Sequence, residues 1–337
     1  MSDRVLLTGI SGFLGGHVAL QLLNAGYTVR GSVRNLSRAD KVRSSLASAG
    51  ADVSRLEFVA LDLLKDDGWA EAARDCLYLQ HTASPFVLQQ PRDKMELIRP
   101  AVEGTERALR AALAADVERI VLTSSTAAIA YGHGKRDATY TAEDWTNLSG
   151  PHVPPYQESK TLAERRAWEI MASAGRRSDL VTINPAGILG PLLDEDPGTS
   201  AALVKRMIDG SVPALPRVSM ATVDVRDVAA AHVAAMTAPD AGGKRFPMAE
   251  RTMFFADAAQ TLRAHFPSHR IPSRTVPDWV VQIAGLFDSD IRAAAPELGV
   301  VKRFDASGAI ALLGRPLIPA PDAVVATAQS LIEHKLV

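Results

Sequence analysis

Through its first half the chain alternates short, unbroken apolar runs with stretches of helical character, and few folds accommodate that rhythm. The apolar runs are "RVLLTGI", "YTVRGSVR", "LEFVALD", "CLYLQHTAS", "RIVLTSST" and "LVTINPAG"; between them lie "HVALQLLNAG", "KVRSSLASAG", "ELIRPAVEGTERALRAALAAD" and "YQESKTLAERRAWEIMASAG". A strand that is apolar at successive positions is buried on both faces, and strands joined through helices run parallel. The pattern predicts a doubly wound α/β fold with helices on both faces of a parallel sheet. After Pro191 the rhythm loosens through "LLDEDPGTS", an acidic loop that reads as solvated linker. "MATVDVRDVAAAHVAAM" then resumes a strand and a helix. From about Ala249 come many prolines, the aromatic stretch "MFFADAAQTLRAHF" and scattered basic residues. The expected division is residues 1–190, with 220–250 returning to them, and a smaller C-terminal lobe of 191–219 and 251–337.

At 337 residues the chain is long enough for two lobes that share an interface. Hydrophobic content of 47%, charge of 22% and a formal net charge of −1 fit a soluble globular protein without the overall basicity that holds nucleic acid or an anionic membrane. Neither partner is expected. The single cysteine, Cys76, has no internal disulfide partner, which suits a reducing compartment, and it lies in an apolar run where a buried thiol is the ordinary reading. The opening "MSDRVLLTGI" enters a strand with no basic region or long apolar segment, so no signal peptide is expected. No unbroken apolar span is long enough to cross a bilayer, and the expected location is the cytoplasm.

"LLTGISGFLGGHV" places Gly9, Gly12 and Gly15 three apart between the first strand and the first helix. Glycines there permit a tight turn, close approach of backbone to a pyrophosphate and close helix packing, while the helix start supplies unpaired N–H groups. Phe13 and Leu14 lie inside the same turn and join the expected cofactor contacts. The fold is then a Rossmann sheet with a smaller C-terminal substrate-binding lobe. NAD-binding domains commonly end the second strand with an acid that accepts hydrogen bonds from the ribose and would repel a 2′-phosphate. Here that point reads "RGSVRNLSRADK": Arg34 stands at the strand end, with Arg38 and Lys41 shortly after. A guanidinium grips phosphate through paired hydrogen bonds, so the expected cofactor is NADP(H).

Open parallel sheets bind ligands at the carboxyl ends of their strands, where this chain places "HTAS", "LTSST" and "INPAG". Thr82, Ser84 and Thr123 are candidate cofactor contacts from those ends. Tyr156 and Lys160 of "YQESK" stand one helical turn apart after a proline pair. Carbonyl reduction needs a proton for the developing alkoxide, a hydrogen bond on the carbonyl oxygen and a competent proton donor. A phenol titrates near pH 10. A lysine ammonium one turn along, with the cationic nicotinamide, would stabilise the phenolate and lower that value. Tyr156, Lys160 and the hydroxyl of Ser124 or Ser125 supply the required groups.

With those residues in view, the chain resembles the extended short-chain dehydrogenase/reductase family, in its branch similar to dihydroflavonol reductases, cinnamoyl-CoA reductases and microbial aldehyde or ketone reductases. The likeness spans nearly the whole chain: "TGISGFLGGHV", "SVRN", "LDLL", "TSS", "YQESK", "INPAGILGP", "VDVRDVAAAHV" and the closing "LGRP" and "TAQSLIEHKLV". The resemblance implies that Ser125 is the catalytic serine and Tyr156 the proton donor. It implies that Lys160 lowers the tyrosine pKa and holds the nicotinamide ribose. Asp62 and Leu63 match the pair beside the adenine, Arg34 and Lys41 the 2′-phosphate contacts, and Pro185 to Ile188 the backbone flanking the nicotinamide. The likeness has departures. Ala130 stands where plant dihydroflavonol reductases carry asparagine, and "VPPYQESK" replaces the "NWYCYGK" type of cinnamoyl-CoA reductases. "TAEDWTNLS" resembles the microbial carbonyl reductases.

The implied activity is NADPH-dependent reduction of an aldehyde or ketone, or the reverse oxidation, by a monomer or homodimer. An NAD-dependent sugar-nucleotide epimerase or dehydratase shares the triad but needs a diphosphate site, for which Lys205, Arg206 and Arg217 are the available cations. A nucleotide-sensing regulatory relative would usually lack the tyrosine or lysine, and both are present. The eight histidines have no Cys or carboxylate partner at a metal-ligand spacing, so no metal is expected; His133 reads as a surface-loop residue and His81 as a neighbour of the cofactor. Glu143 and Asp144 read as a turn cap and Trp168 as helix packing. Phe86, Ala127 and Ile188 are the candidates for lining an apolar substrate pocket.

Overall fold

The computed structural model describes residues 3–84, 93–134, 137–195, 198–287, 292 and 295–337. The strands are β1 (Arg4–Thr8), β2 (Thr28–Val33), β3 (Leu56–Ala60), β4 (Tyr78–His81), β5 (Arg119–Thr123), β6 (Asp137–Tyr140), β7 (Leu180–Pro185), β8 (Gly187–Leu189), β9 (Ser219–Asp224), β10 (Arg245–Met248), β11 (Arg251–Phe254) and β12 (Val301–Phe304). The helices are α1 (Phe13–Asn24), α2 (Ala39–Ser48), α3 (Trp69–Ala73), α4 (Met95–Ala114), α5 (Pro155–Ser173), α6 (Gly198–Ile208), α7 (Val225–Thr237), α8 (Phe255–His265), α9 (Asp278–Ala284), α10 (Ser307–Leu313) and α11 (Ala320–Glu333).

Seven strands form one parallel sheet in the order β10-β7-β5-β4-β1-β2-β3. Burial explains the unbroken apolar runs. In β1, Val5 and Leu7 enter the core beneath α1 and α7, while Leu6 enters the opposite core with Leu109 of α4 and Ala167 and Met171 of α5. Strands β5 and β7 divide in the same way, Val121, Val181 and Ile183 to one side and Ile120, Leu122 and Leu180 to the other. Both faces of every central strand are therefore dry. Leu6 is 1% exposed, and its truncation to Ala would cost about 2–5 kcal/mol.

The chain winds outward through β2 and β3 in one direction and through β4, β5 and β7 in the other. The strand order thus reverses between β1 and β4, and their carboxyl ends open the crevice in which such sheets bind ligands. The second half departs from this plan. β10 returns to the large sheet beside β7, but β9 pairs with β8 and β11 in a separate three-stranded sheet. A third core gathers α6, α8 and α11 around Leu192, Met207, Leu262 and Val324. Two short strands that periodicity did not mark, β6 and β12, pair in parallel and tie residues 301–304 to the stretch after β5. Among the described residues no helix is long and apolar enough to cross a membrane.

Candidate active site

The turn after β1 is built by backbone. Gly9 has φ +74°, a region that L side chains rarely adopt, and its carbonyl accepts from the N–H of Gly12 at 2.9 Å. A Cβ on Gly15 would lie 2.1 Å from the Gly9 oxygen. Helix α1 therefore starts flush against β1, and no side chain caps it at Gly12. Its first N–H groups, those of Phe13 and Leu14 among them, point out of the helix toward the crevice, where an anion would satisfy them. Beside this turn, Thr8 Oγ1 contacts His81 Nδ1 at 2.8 Å and accepts from the amide of Ala83 at 3.1 Å. Thr82 Oγ1 donates to the Thr8 carbonyl at 2.6 Å. Ser84 is half-buried at the last described position before the gap. Burial pushes His81 down to about 3, so it is neutral.

At the end of β2, Val33 is buried and Arg34 is exposed, followed by exposed Arg38 and Lys41, with no acid at the strand end. The Asn35 side chain accepts from the Ser37 amide and caps the short helical turn Leu36–Arg38. One partner was not legible in sequence. The acidic loop after Pro191 folds back, so that Asp194 Oδ2 lies 3.9 Å from Lys41 Nζ rather than facing solvent alone. Asp62 and Leu63 follow β3; Asp62 Oδ1 accepts from the Leu64 amide, and Leu63 packs where a Cβ on Gly104 of α4 would collide.

The tyrosine helix begins at Pro155, a residue whose fixed φ suits the first helical position. From there Tyr156, Lys160, Glu164 and Trp168 follow one another at four-residue spacing along one face. Ser125 hydrogen-bonds Tyr156 and also accepts from the Ala127 amide at 3.1 Å. Ser124 faces elsewhere: its Oγ donates to Glu164 Oε2 at 2.5 Å inside the core. The two adjacent serines are thus separated by direction, and Ser125 is the one turned to the phenol. Lys160 Nζ sits 5.9 Å from the Tyr156 ring centroid. Burial pushes the Tyr156 phenol up to about 12, against the pull of the Ser125 hydrogen bond, and pushes Lys160 down to about 8, against the Glu164 carboxylate. Desolvation is the largest influence on the phenol, and Ser125 is the group that opposes it. Most of Lys160 is still protonated at neutral pH.

Other expected contacts divide. Pro185 is buried, its carbonyl 3.4 Å from Ser125 Oγ, and it leads into the half-buried Ala186 to Ile188. Thr123 ends β5, but its hydroxyl is engaged with His232 Nε2 at 2.9 Å, whose Nδ1 meets Gln80 Oε1 at 2.7 Å. Ala127 is buried, and Ile188 packs against the core below α1 and α7. Phe86 lies outside the described residues. Glu143 and Asp144 sit in a turn that Asp144 caps, its Oδ2 accepting from the Thr141 amide at 2.7 Å. Trp168 is buried and packs against the second core, with the Arg177 guanidinium 4.5 Å from its ring. His133 is half-buried, its ring 5.1 Å from that of Tyr140.

Two cavities, of about 410 and 120 Å³, share a wall of Tyr131, Glu297, Val300 and Lys302. Thr126, Gly187, Met220, Thr252 and Phe304 complete the smaller, and His133, Tyr140 and Gln282 are on the larger. Lys302 Nζ pairs with Glu297 and lies 4.1 Å from the Tyr131 ring centroid. Apart from His133, read as a surface-loop residue, and Gly187, in the stretch expected beside the nicotinamide, none of these wall residues was singled out in sequence, because no local period marks a cavity built from distant segments. Arg217, one of the cations available for a diphosphate, is paired with Asp278 at 2.5 Å; Lys205 and Arg206 end α6. Among the described residues no cluster has the ligands for a metal.

Residues 5–249 match the NAD dependent epimerase/dehydratase family. The chain is 35% identical to the cinnamoyl-CoA reductase CAD2 of Medicago truncatula over 283 residues, covering 82% of this chain and 85% of that one. It is 32% identical to the ketoreductase azaE of Aspergillus niger over 325 residues, covering 90% and 94%. The structure superimposes on yeast methylglyoxal/isovaleraldehyde reductase Gre2 complexed with NADPH with a TM-score of 0.82 at 24% identity, covering 98% of this chain and 99% of that one.

Proposed function

The chain belongs to the NAD dependent epimerase/dehydratase family, the extended short-chain dehydrogenases, and within it we propose an NADPH-dependent reductase of aldehydes or ketones, or, in the reverse direction, an NADP+-dependent alcohol dehydrogenase. The observation that carries this reading is the convergence of Tyr156, Ser125 and Lys160 beside a helix start kept open by Gly15. The named activities of the relatives, a cinnamoyl-CoA reductase and a ketoreductase, agree with it. So does the NADPH-bound reductase that shares the fold.

The residues fit the cofactor. The turn of Gly9, Gly12, Phe13, Leu14 and Gly15 holds the pyrophosphate, Arg34 and Lys41 the 2′-phosphate, and Asp62 and Leu63 the adenosine end. Bound NADPH supplies a hydride at its nicotinamide C4. Ser125 donates a hydrogen bond to the substrate carbonyl oxygen and so polarises the carbon. Tyr156 gives its phenolic proton to the same oxygen as charge develops there. Because burial holds the phenol near 12, that proton stays in place until an alkoxide, a stronger base than phenolate, is forming. The Lys160 ammonium then stabilises the phenolate left behind. The substrate occupies the space between Tyr131, Thr126, Gly187 and Lys302.

Residues 1–190 with 220–250 form the dinucleotide unit, and 191–219 with 251–337 the substrate lobe, in a cytoplasmic monomer or homodimer. A chain whose one cysteine is buried suits a reducing compartment.

The test is NADPH oxidation against aliphatic aldehydes, aryl aldehydes, ketones and diketones, repeated with Tyr156→Phe. Turnover of at least one class is expected. In the variant it should fall about 100- to 10,000-fold with NADPH binding retained. No consumption with any substrate, or unchanged turnover in the variant, would overturn the reading.

A further inference from the structure

The same helix face that carries Tyr156 and Lys160 continues to a carboxylate that the proposed reaction does not use. The Glu164 side chain is fully buried. Its Oε1 accepts from Arg245 Nε at 2.6 Å, Thr182 Oγ1 at 3.1 Å and Trp168 Nε1 at 3.3 Å. Its Oε2 accepts from Ser124 Oγ at 2.5 Å, Asn184 Nδ2 at 2.8 Å and Arg245 Nη2 at 3.3 Å. One carboxylate thereby ties α5 to β5, β7 and β10. The Arg245 guanidinium, itself nearly buried, also donates to the carbonyls of Ala142 and Asp144, both at 2.6 Å, and stacks 3.8 Å from the Trp145 ring centroid.

An ionised carboxylate withdrawn from water to this degree costs several kcal/mol unless its partners compensate, and an apolar pair of the same size would hold the sheet as well. The arrangement does something an apolar pair would not. It places a fixed negative charge one turn beyond Lys160, and it aims Ser124 away from the phenol so that Ser125 alone meets it.

We propose that Glu164, held by Arg245, is a positioning residue that keeps the Lys160 ammonium charged and separates the roles of the two serines. This rests on the reading of Tyr156 and Lys160 given above. The groups facing Lys160 limit the alternatives. From β4 comes His81, buried and neutral; from α5 come Tyr156 and Glu164; the residues of α4 and β5 around the same small cavity, Ala101, Thr105, Leu122 and Thr123, are uncharged. Glu164 is the only anion among these described neighbours, with Arg245 behind it. Burial draws Lys160 toward its neutral form, and Glu164 opposes that draw.

The test is the pH profile of kcat/KM for the NADPH-dependent reaction in Glu164→Gln, Glu164→Asp and Arg245→Met. Neutralising Glu164 leaves Lys160 facing burial unopposed, so the alkaline limb should move about one unit or more toward lower pH. Removing the guanidinium leaves Glu164 free to favour the ammonium, so in Arg245→Met the same limb should move the opposite way. Glu164→Asp, which keeps the charge, should restore the limb even where it lowers the melting temperature. A limb that stays put in Glu164→Gln and Arg245→Met, with only thermal stability changed, would overturn the proposal, as would a limb lost in Glu164→Asp. If no carbonyl compound is turned over by the wild type, the reductase reading fails separately. The limb is then read from the pH dependence of NADPH binding, followed by nicotinamide fluorescence. Should Glu164→Gln not fold, the opposite shift in Arg245→Met and the restored limb in Glu164→Asp carry the decision.

Discussion

Between β1 and α1 the surface offered is backbone, whereas the wall around Tyr131 and Lys302 offers side chains. The turn is three glycines and a helix start, contiguous in the chain and tolerant of one geometry: Gly9 needs its positive φ, and a Cβ at Gly15 would strike the Gly9 carbonyl. The facing wall draws Tyr131 from the stretch after β5 and Glu297, Lys302 and Phe304 from the far end of the chain. The parallel pair β6 and β12 brings them together, with Asp137 and Arg303 ion-paired across it. On the proposed function the backbone turn would take the phosphates of the dinucleotide, and the side-chain wall, which can change without disturbing the sheet, would tell substrates apart.

The largest effect should come from breaking the backbone side. Gly15→Ala puts its methyl 2.1 Å from a backbone oxygen that has no room to yield, and NADPH affinity should fall by about 100-fold or more in a titration of cofactor fluorescence. Unchanged affinity would mean that the turn does not hold the pyrophosphate. Next comes Arg34→Ser at the end of β2. Loss of a charge-assisted contact should reduce preference for NADPH over NADH by about 10- to 100-fold, read as a ratio of kcat/KM values. On the side-chain side, Lys302→Met should raise KM for the best carbonyl substrate by about 10-fold while cofactor affinity stays put. A change in cofactor affinity of equal size would erase the distinction between the two sides.

The last effect, read in stability rather than in binding or turnover, belongs to neither side and tests the core beneath both. His81 and His232 are each held neutral by burial, with folded values of about 3 against 6.5 in the unfolded chain. Between these values the unfolded chain binds the proton and the folded one does not. The stability they contribute is complete above pH 6.5 and declines as pH falls, by about 1.4 kcal/mol per unit for each histidine. Urea unfolding at pH 7, 6 and 5 should show that slope, and His232→Gln should remove about one histidine's share of it.

The same contrast explains what was legible in sequence. Periodicity and glycine spacing are local signals, and they marked six strands of the large sheet, β10 excepted, the turn after β1 and the Tyr156 helix. What escaped them depends on partners far along the chain. The pair β6 and β12 is two short runs with no alternation of their own. Glu164 carries no local mark, and its burial against Arg245 depends on a residue 81 positions on. The different directions of Ser124 and Ser125 were likewise not legible: the Glu164 carboxylate takes the Ser124 hydroxyl, while Ser125 hydrogen-bonds Tyr156. Asp194 read as a solvated loop residue and instead reaches Lys41. The phenol was expected to titrate below its usual value, but spacing reports neighbours and says nothing of desolvation, which here is the larger effect.

The pairing of β12 with β6 has a further consequence, for how the protein is made. Every residue of the glycine turn and its supporting strands β1, β2 and β4 leaves the ribosome within the first 84 positions. The opposite wall waits for Lys302 and Phe304, and the segment beyond β8 waits longer still, since the amides of Gly190 and Leu192 are held by the hydroxyls of Thr327 and Ser330. Synthesis therefore delivers the nucleotide half long before the chamber it serves can close.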